Sequence, residues 1–154
     1  MESYGKVIAG LEPAWRGAFE RTPRHAFVPD TVWLPDNGES SGYRRVDRHR
    51  EPEAWWGAVN ADDSVVTQFD DGASGGPGVP TSSGSMPSLV ATMLRELAVE
   101  DGQAVLDVGT GTGWTSALLA ARLGGEQVTT IEVGPTLAGG RAARLAGRAR
   151  ARGR

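Results

Sequence analysis

Apolar positions along the chain fall into short stretches whose spacing changes from one stretch to the next. Trp15 and Phe19 stand four apart between Pro13 and about Arg21, the spacing of one helix face, with proline tolerated in the first turn. The run from Arg21 to Asp30 carries Pro23 and Pro29. A residue before proline is pushed out of the helical region, so an extended segment is expected there. Residues 35–53 are mostly polar, with turn signals at Pro35-Asp36-Asn37-Gly38 and Ser40-Ser41-Gly42, and only Tyr43–Val46 reads as a brief strand. Pro52 opens a helix from Glu53 to about Val59 with Trp55, Trp56 and Val59 as packing residues, and the β-formers of Ser64–Phe69 predict a strand.

Residues 71–84 are dense in Gly, Ser and Pro. A loop is expected there, with a lid and a plain connector as equal readings. Ser85-Met86-Pro87 then marks a helix start, serine being suited to the N-cap and proline to the first helical positions. Leu89, Val90, Met93, Leu94 and Leu97 set one apolar face, and the helix is expected to have stopped by Asp101-Gly102. The apolar run Val105-Leu106-Asp107-Val108 follows as a buried strand, then Gly109, Gly111 and Gly113 at alternate positions, then a helix from Trp114 to Leu123. Gln127–Glu132 reads as the next strand and ends in an acid.

Strand, glycine turn, apolar helix, strand and terminal acid in that order describe the first half of a Rossmann-like nucleotide fold. Its glycines allow a ligand to approach the backbone closely, and the following helix N-terminus offers free N–H groups. A carboxylate at the end of the second strand accepts ribose hydroxyls, which assigns Glu132 to that role. A dinucleotide site spaces its third glycine differently, and Trp114 stands where that glycine belongs. The acid-x-Gly-x-Gly-x-Gly pattern from Asp107 instead resembles the first motif of class I S-adenosylmethionine-dependent methyltransferases. The resemblance implies S-adenosylmethionine as cofactor, held by Asp107, Gly109, Thr110, Gly111, Gly113 and Glu132.

Composition narrows the chemistry. The 154 residues include no cysteine, which removes disulfides, zinc–thiolate sites and thiol catalysis. No apolar run is long enough to cross a membrane and no signal-peptide layout opens the chain, so a cytoplasmic protein is expected. Residues 141–154 hold six arginines and no acid, whereas residues 1–140 hold ten Lys/Arg against nineteen acids. The arginine-rich end has no aromatic residue to stack on bases, so it reads as a solvated or disordered end and not as a nucleic-acid arm. Asp62, Asp63, Asp70 and Asp71 lack a ligand-like spacing and read as solvated turns, with no metal site. Trp15, Trp33, Trp55 and Trp56 are expected to pack in the core or under a lid.

Three motifs together resemble one family, the protein-L-isoaspartate O-methyltransferases. Arg24-His25-Ala26-Phe27-Val28-Pro29 matches an element near their N-terminus, Ser85-Met86-Pro87 matches the Ser-x-Pro before their cofactor strand, and Val105–Gly113 matches the cofactor loop. The resemblance covers roughly residues 13–30 and 64–133. Residues 31–63 look like the version in actinobacterial relatives that accompany peptide-modifying enzymes. It implies methyl transfer to an isoaspartyl or aspartyl carboxylate of a protein or peptide, with Ser85 beside the acceptor carboxylate. Ser85 as a helix cap and Ser85 as an acceptor-side residue remain compatible. The nucleophile is already ionised, so such a site mainly aligns two groups. His25 then has no need to act as a base and is expected to fix a loop with Arg24 and Phe27.

The expected fold is α/β: the first strands of a doubly wound parallel sheet, as in a partial Rossmann-like methyltransferase fold, with an N-terminal helical and extended substrate-side region. Three parts are expected: residues 1–84 as the family-specific region, 85–133 as the first half of the cofactor domain, and 134–154 as an Arg/Ala/Gly-rich tail that is non-native to the fold or disordered. Beyond Glu132 no apolar β run remains, Gly134 stands where a second acid often follows, and Gly139 and Gly140 interrupt a helix at about 1 kcal/mol each against alanine. These departures give the expectation of a truncated or frame-shifted chain, or of a short form completed by a partner chain. Two further readings stay open: an inactive or partner-completed cofactor-binding module, and a nicotinamide-dependent oxidoreductase half-domain.

Overall fold

The computed structural model describes residues 3–36, 42–73 and 78–134, together with Leu137. The tail expected over residues 134–154 therefore lies outside the described residues except at Gly134 and Leu137. Two helices open the chain, α1 (Tyr4–Ala9), which the sequence pattern did not mark, and α2 (Pro13–Arg21). Pro13 stands at the start of α2, and Trp15, Ala18 and Phe19 face inward. The stretch expected to be extended instead contains a 3-10 turn at Arg24–Ala26. Pro23 is itself extended, as proline rules require, but its carbonyl accepts the Ala26 N–H at 3.1 Å and the Arg24 carbonyl accepts the Phe27 N–H at 2.9 Å.

Residues 31–84 build a four-stranded antiparallel sheet where the sequence had promised two strands and long loops. Its strands are β1 (Thr31–Asp36), β2 (Gly42–Asp47), β3 (Val65–Phe69) and β4 (Pro80–Gly84), in the order β2-β1-β3-β4. β1 and β2 form a hairpin registered from Thr31↔Asp47 to Asp36↔Gly42. Pro35 obscured β1 in the sequence. Its missing N–H is tolerated because the recorded pairing with β3 is at Trp33↔Val66. β4 replaces the latter part of the expected loop. It is an edge strand with proline at its first position, where strand rules permit one, and its pairing with β3 is irregular between Val66 and Phe69. Helix α3 (Pro52–Asn60) packs below, so that Val28, Val32, Val46, Trp55, Val59 and Val65 close one core.

The second core lies between helices. Helix α4 (Pro87–Leu97) leads to β5 (Val105–Val108), α5 (Trp114–Leu123) and β6 (Val128–Ile131), and β5 and β6 pair in parallel. Trp15, Phe19, Phe27, Val90, Leu94, Trp114, Leu118 and Leu119 meet there. The parallel pair bears out the α/β expectation, and α5 covers one of its faces. Leu106, Val108 and Ile131 on the other face are 57%, 68% and 50% exposed.

Two expectations for α4 need correction. Met86, not Ser85, is the N-cap residue, and no side chain of its own caps the helix. Asp62 does so from a distant loop, its Oδ1 accepting the Ser88 N–H at 2.8 Å. The apolar face also divides. Val90 and Leu94 are buried, whereas Leu89, Met93 and Leu97 are about half exposed (47%, 46% and 50%). The helix stops at Ala98, which takes a left-handed conformation (φ 48°), short of Asp101-Gly102.

This division is testable. Leu94→Ala is expected to lower the unfolding free energy by about 2–5 kcal/mol and Leu89→Ala by no more than about 0.5 kcal/mol. Urea denaturation of both variants measures the difference, and equal losses would contradict a single buried ridge.

Candidate functional site

The glycine loop joins β5 to α5. Gly109, Gly111 and Gly113 have φ values of +78°, +51° and +85°, which side chains other than glycine rarely adopt. The loop is tied to the neighbouring strand, since the Ile131 carbonyl accepts both the Gly109 N–H (3.0 Å) and the Thr110 N–H (3.2 Å). A Cβ placed on Gly109 would meet nothing within 4 Å. At Gly109 the loop backbone therefore faces open space at the C-terminal end of β5.

Below the loop lies a polar network that the sequence did not announce. Asp107 accepts a hydrogen bond from the buried Ser116 hydroxyl of α5. The Thr110 hydroxyl donates to the Ile131 carbonyl at 3.0 Å and meets the Thr130 hydroxyl. Asp107 and Thr110 thus have side chains turned toward α5 and β6, bracing the loop from beneath. A serine inside an apolar helix and an alternate threonine in a strand give no distinctive sequence signal, which is why Ser116 and Thr130 were missed.

Glu132 follows β6 and reaches back to the loop. Its Oε2 accepts the Gly111 N–H at 2.8 Å and its Oε1 accepts the Gly134 N–H at 2.9 Å. Trp114, the first residue of α5, turns the other way. Its indole is 4% exposed, lies edge-on to Phe19 at 5.6 Å, and donates from Nε1 to the Thr22 carbonyl at 2.9 Å. The indole that breaks the dinucleotide pattern is thus an anchor between α5 and the end of α2.

β4 brings the Ser-x-Pro turn to this loop. A Cβ on Gly111 would stand 3.6 Å from Ser82 Oγ, three residues before Ser85. Ser82 Oγ in turn accepts a hydrogen bond from the Thr67 hydroxyl of β3 at 3.2 Å. Ser85 is half-buried, and its hydroxyl makes no hydrogen bond to any described residue. Its carbonyl accepts from Arg24 Nη2 at 3.0 Å.

Arg24 is 1% exposed. Its Nη1 donates to the carbonyls of Val59 (3.1 Å) and Ala61 (3.2 Å), and its Nη2 to those of Asp63 (2.7 Å), Gly84 (3.1 Å) and Ser85 (3.0 Å). Burial lowers the guanidinium pKa to about 10, and burial also raises that of the neighbouring Tyr4 phenol to about 12. At neutral pH Arg24 is therefore charged and Tyr4 is neutral. The expectation that Arg24, His25 and Phe27 fix a loop is met mainly by Arg24. Phe27 lies in the helical core, and His25 stands 5.1 Å from the Trp56 ring.

The other acidic and aromatic candidates fall into place. Asp62 is not a solvated turn residue but the cap of α4. Asp63 and Asp70 bind the backbone N–H groups of Ser64 (2.7 Å) and Val79 (2.9 Å). Among the described residues no cluster of three or more His, Asp or Glu side chains could hold a metal ion. Trp15 and Trp55 are core residues, while Trp33 and Trp56 are half-buried and make ring contacts with Phe69 and Trp55. No described helix is long and apolar enough to cross a membrane.

Comparison with known proteins agrees with this arrangement. The model of the family "Protein-L-isoaspartate(D-aspartate) O-methyltransferase" matches residues 61–150, more than half of the chain, and so runs into the arginine-rich end. A protein-L-isoaspartate O-methyltransferase of Anaeromyxobacter dehalogenans (strain 2CP-1) is 52% identical over 54 residues, 35% of this chain and 25% of the relative. That of Methylorubrum populi is 36% identical over 93 residues, 58% of this chain and 43% of the relative. A solved structure titled as a protein-L-isoaspartate O-methyltransferase superposes with a TM-score of 0.62 at 20% identity, covering 95% of this chain and 39% of its own. The chain thus spans less than half the length of each of these relatives. It belongs to the protein-L-isoaspartate(D-aspartate) O-methyltransferase family.

Proposed function

We propose that this chain carries the acceptor side and the first part of the cofactor site of an S-adenosylmethionine-dependent O-methyltransferase that esterifies an isoaspartyl or aspartyl carboxylate of a protein or peptide. Residues up to 84 supply the acceptor side, and residues 85–133 supply the first half of the cofactor domain. One observation carries the reading: β4, which leads into Ser85, brings Ser82 Oγ to within 3.6 Å of where a Cβ on Gly111 would stand. At about 3.3 Å per residue along a strand, Ser85 follows roughly 10 Å beyond that point. An acceptor bound at Ser85 and a ligand on the loop would then be neighbours.

The residues present suit the cofactor. The open backbone at Gly109 accepts close approach of a nucleoside, and the Glu132 carboxylate, placed beside the loop by the Gly111 and Gly134 N–H groups, stands where such folds put an acceptor for ribose hydroxyls. Gly111 and Gly113 shape the loop, whereas Asp107 and Thr110 hold it from below. When bound, S-adenosylmethionine supplies an electrophilic methyl carbon, which a carboxylate oxygen takes as the electron pair of the carbon–sulfur bond returns to sulfur. The chain's own residues need move no proton. Ser85, with no described partner for its hydroxyl, is suited to donate one hydrogen bond that orients the acceptor carboxylate. Preorganised alignment of this kind accounts for large rate effects without acid–base groups.

A second reading, a binding module without turnover, draws on the uncovered face of β5 and β6. Transfer of labelled methyl from S-adenosylmethionine to an isoaspartyl peptide, beside an aspartyl peptide and an amidated control, separates the two. Incorporation into the first peptides but not the control is expected. Calorimetric binding of S-adenosylhomocysteine without incorporation would select the module, and preference for NAD would select the oxidoreductase half-domain.

Two substitutions divide the site. Glu132→Ala is expected to weaken S-adenosylhomocysteine binding about tenfold or more, on the scale of a lost hydrogen bond to a charged group. Unchanged affinity in the same calorimetric titration would sink the ribose assignment. Ser85→Ala is expected to leave that affinity within about twofold while slowing methyl transfer about 10- to 100-fold. Equal turnover in the Ser85→Ala variant would remove Ser85 from the acceptor side.

A further inference from the structure

Three consecutive residues, Thr22, Pro23 and Arg24, touch both halves of the site. On the cofactor side, the Thr22 carbonyl accepts the Trp114 indole N–H at 2.9 Å, and Trp114 directly follows Gly113 of the loop. On the acceptor side, Arg24 Nη2 donates to the carbonyls of Gly84 and Ser85 at 3.1 and 3.0 Å. The span has little freedom. The Thr22 N–H donates to the Ala18 carbonyl at 3.0 Å and its hydroxyl to the same carbonyl at 2.5 Å, fixing it to the end of α2. Proline restricts its own φ, here −61°. Thr22 is 4% exposed and Arg24 1%. The guanidinium carbon also lies 5.8 Å from the centroid of the Trp114 ring, so the two contacts meet each other inside the core.

We propose that Thr22–Arg24 is a bracket that sets the separation between the cofactor loop and the acceptor turn, with Arg24 as a positioning residue for methyl transfer. The inference rests on the reading of Ser85 as acceptor-side and Gly109–Gly113 as cofactor-side. It assigns Arg24 a task beyond holding a loop. The guanidinium grips the carbonyls of the turn that carries Ser85 and, through Asp63, Ala61 and Val59, the segment that caps α4 through Asp62. A group transfer between two separately bound partners depends steeply on their alignment, so a loosened bracket slows turnover at saturation more than it weakens binding of either partner alone.

The test uses Arg24→Lys, which keeps the charge but has no planar fork to reach carbonyls from several segments, and Trp114→Phe, which removes the indole N–H. Because the chain contains no cysteine, Ser83→Cys and Thr112→Cys give a unique pair of nitroxide labels, one on β4 and one on the loop. In the parent, dipolar EPR between the labels is expected to give a single narrow distance. In each variant the distribution should broaden or shift, and kcat per S-adenosylhomocysteine-binding molecule should fall at least tenfold for Arg24→Lys with affinity for S-adenosylhomocysteine within twofold. The double variant should fall by less than the product of the two single effects, since both act on one bracket.

A distance distribution unchanged in both variants overturns the bracket, whether or not the protein turns over. Unchanged kcat per binding-competent molecule overturns the positioning role and leaves Arg24 a folding residue. If Arg24→Lys does not fold, Trp114→Phe carries the same two readouts. Failure of the underlying reading looks different: turnover would be absent in the parent or indifferent to Ser85→Ala, while the labels still report the bracket.

Discussion

A guanidinium removed from water must be solvated by the protein, and Arg24 Nη1 and Nη2 meet that demand with five backbone carbonyls from two chain segments far apart in sequence, while the buried Nε has no hydrogen-bond partner among the described residues. A buried cation left without such partners is strongly destabilising. The carbonyls of 59–63 and of 84–85 are therefore constrained to converge on one point. No carboxylate among the described residues bonds the guanidinium directly, although Asp62 and Asp63 favour its charged form from nearby. Its charge is spread over oriented peptide dipoles. Once those segments converge, β3 and β4 have their meeting end fixed at Val65↔Gly84, and Asp62 is brought to the first turn of α4. The antiparallel sheet and the helical core, which share few side chains, are joined at this place.

The legible parts of the sequence are those whose structure is decided locally. The loop at 109–113 was readable because alternate glycines after an apolar run admit few backbone paths, and all three take positive φ. Helices α2 and α3 were readable from proline starts and apolar spacing, and α5 from the apolar run that follows the glycines. β1 and β4 were not, because Pro35, and the Pro-Thr-Ser-Ser-Gly of β4, carry little strand preference and become strands only by pairing with β2 and β3. The cap of α4 was misplaced for the same reason. Ser85 had the right chemistry but stands one residue before the N-cap position, which Met86 occupies, and the Ser88 N–H is satisfied by Asp62 from 26 residues away. Trp114 was noticed as an obstacle to dinucleotide packing, and only the tertiary structure shows the Thr22 carbonyl waiting for its N–H.

The apolar residues left at the surface are not scattered. Leu106, Val108 and Ile131 share the uncovered face of the parallel pair, and parallel sheets are normally covered on both faces. Leu89, Met93 and Leu97 form a second stripe along α4. Full burial of a side chain of this kind contributes about 1.5–3 kcal/mol relative to exposure. The described residues thus forgo part of the stabilisation that their own composition offers. The stability that remains rests on the two internal cores and on the polar ties between them, which raises the weight of Arg24 and of the Trp114–Thr22 bond in holding the site together.

The two sides of the candidate site are built on different principles. On the cofactor side, side chains with hydrogen-bonding capacity are largely engaged with the protein itself: Asp107 with Ser116, Thr110 with Thr130 and Ile131, and Glu132 with Gly111 and Gly134. What the loop presents outward at Gly109 is backbone, with one carboxylate beside it, a surface suited to the nucleoside of the proposed cofactor. On the acceptor side, the backbone of the Ser85 turn is held by Arg24 while the Ser85 hydroxyl has no described partner. A fixed main chain presenting an unengaged hydroxyl constrains where an acceptor carboxylate binds without dictating the chain that bears it. In the proposed methyl transfer the nucleophile is already ionised, so control of that position would be the main lever left to the protein, acting through the contacts of Thr22–Arg24.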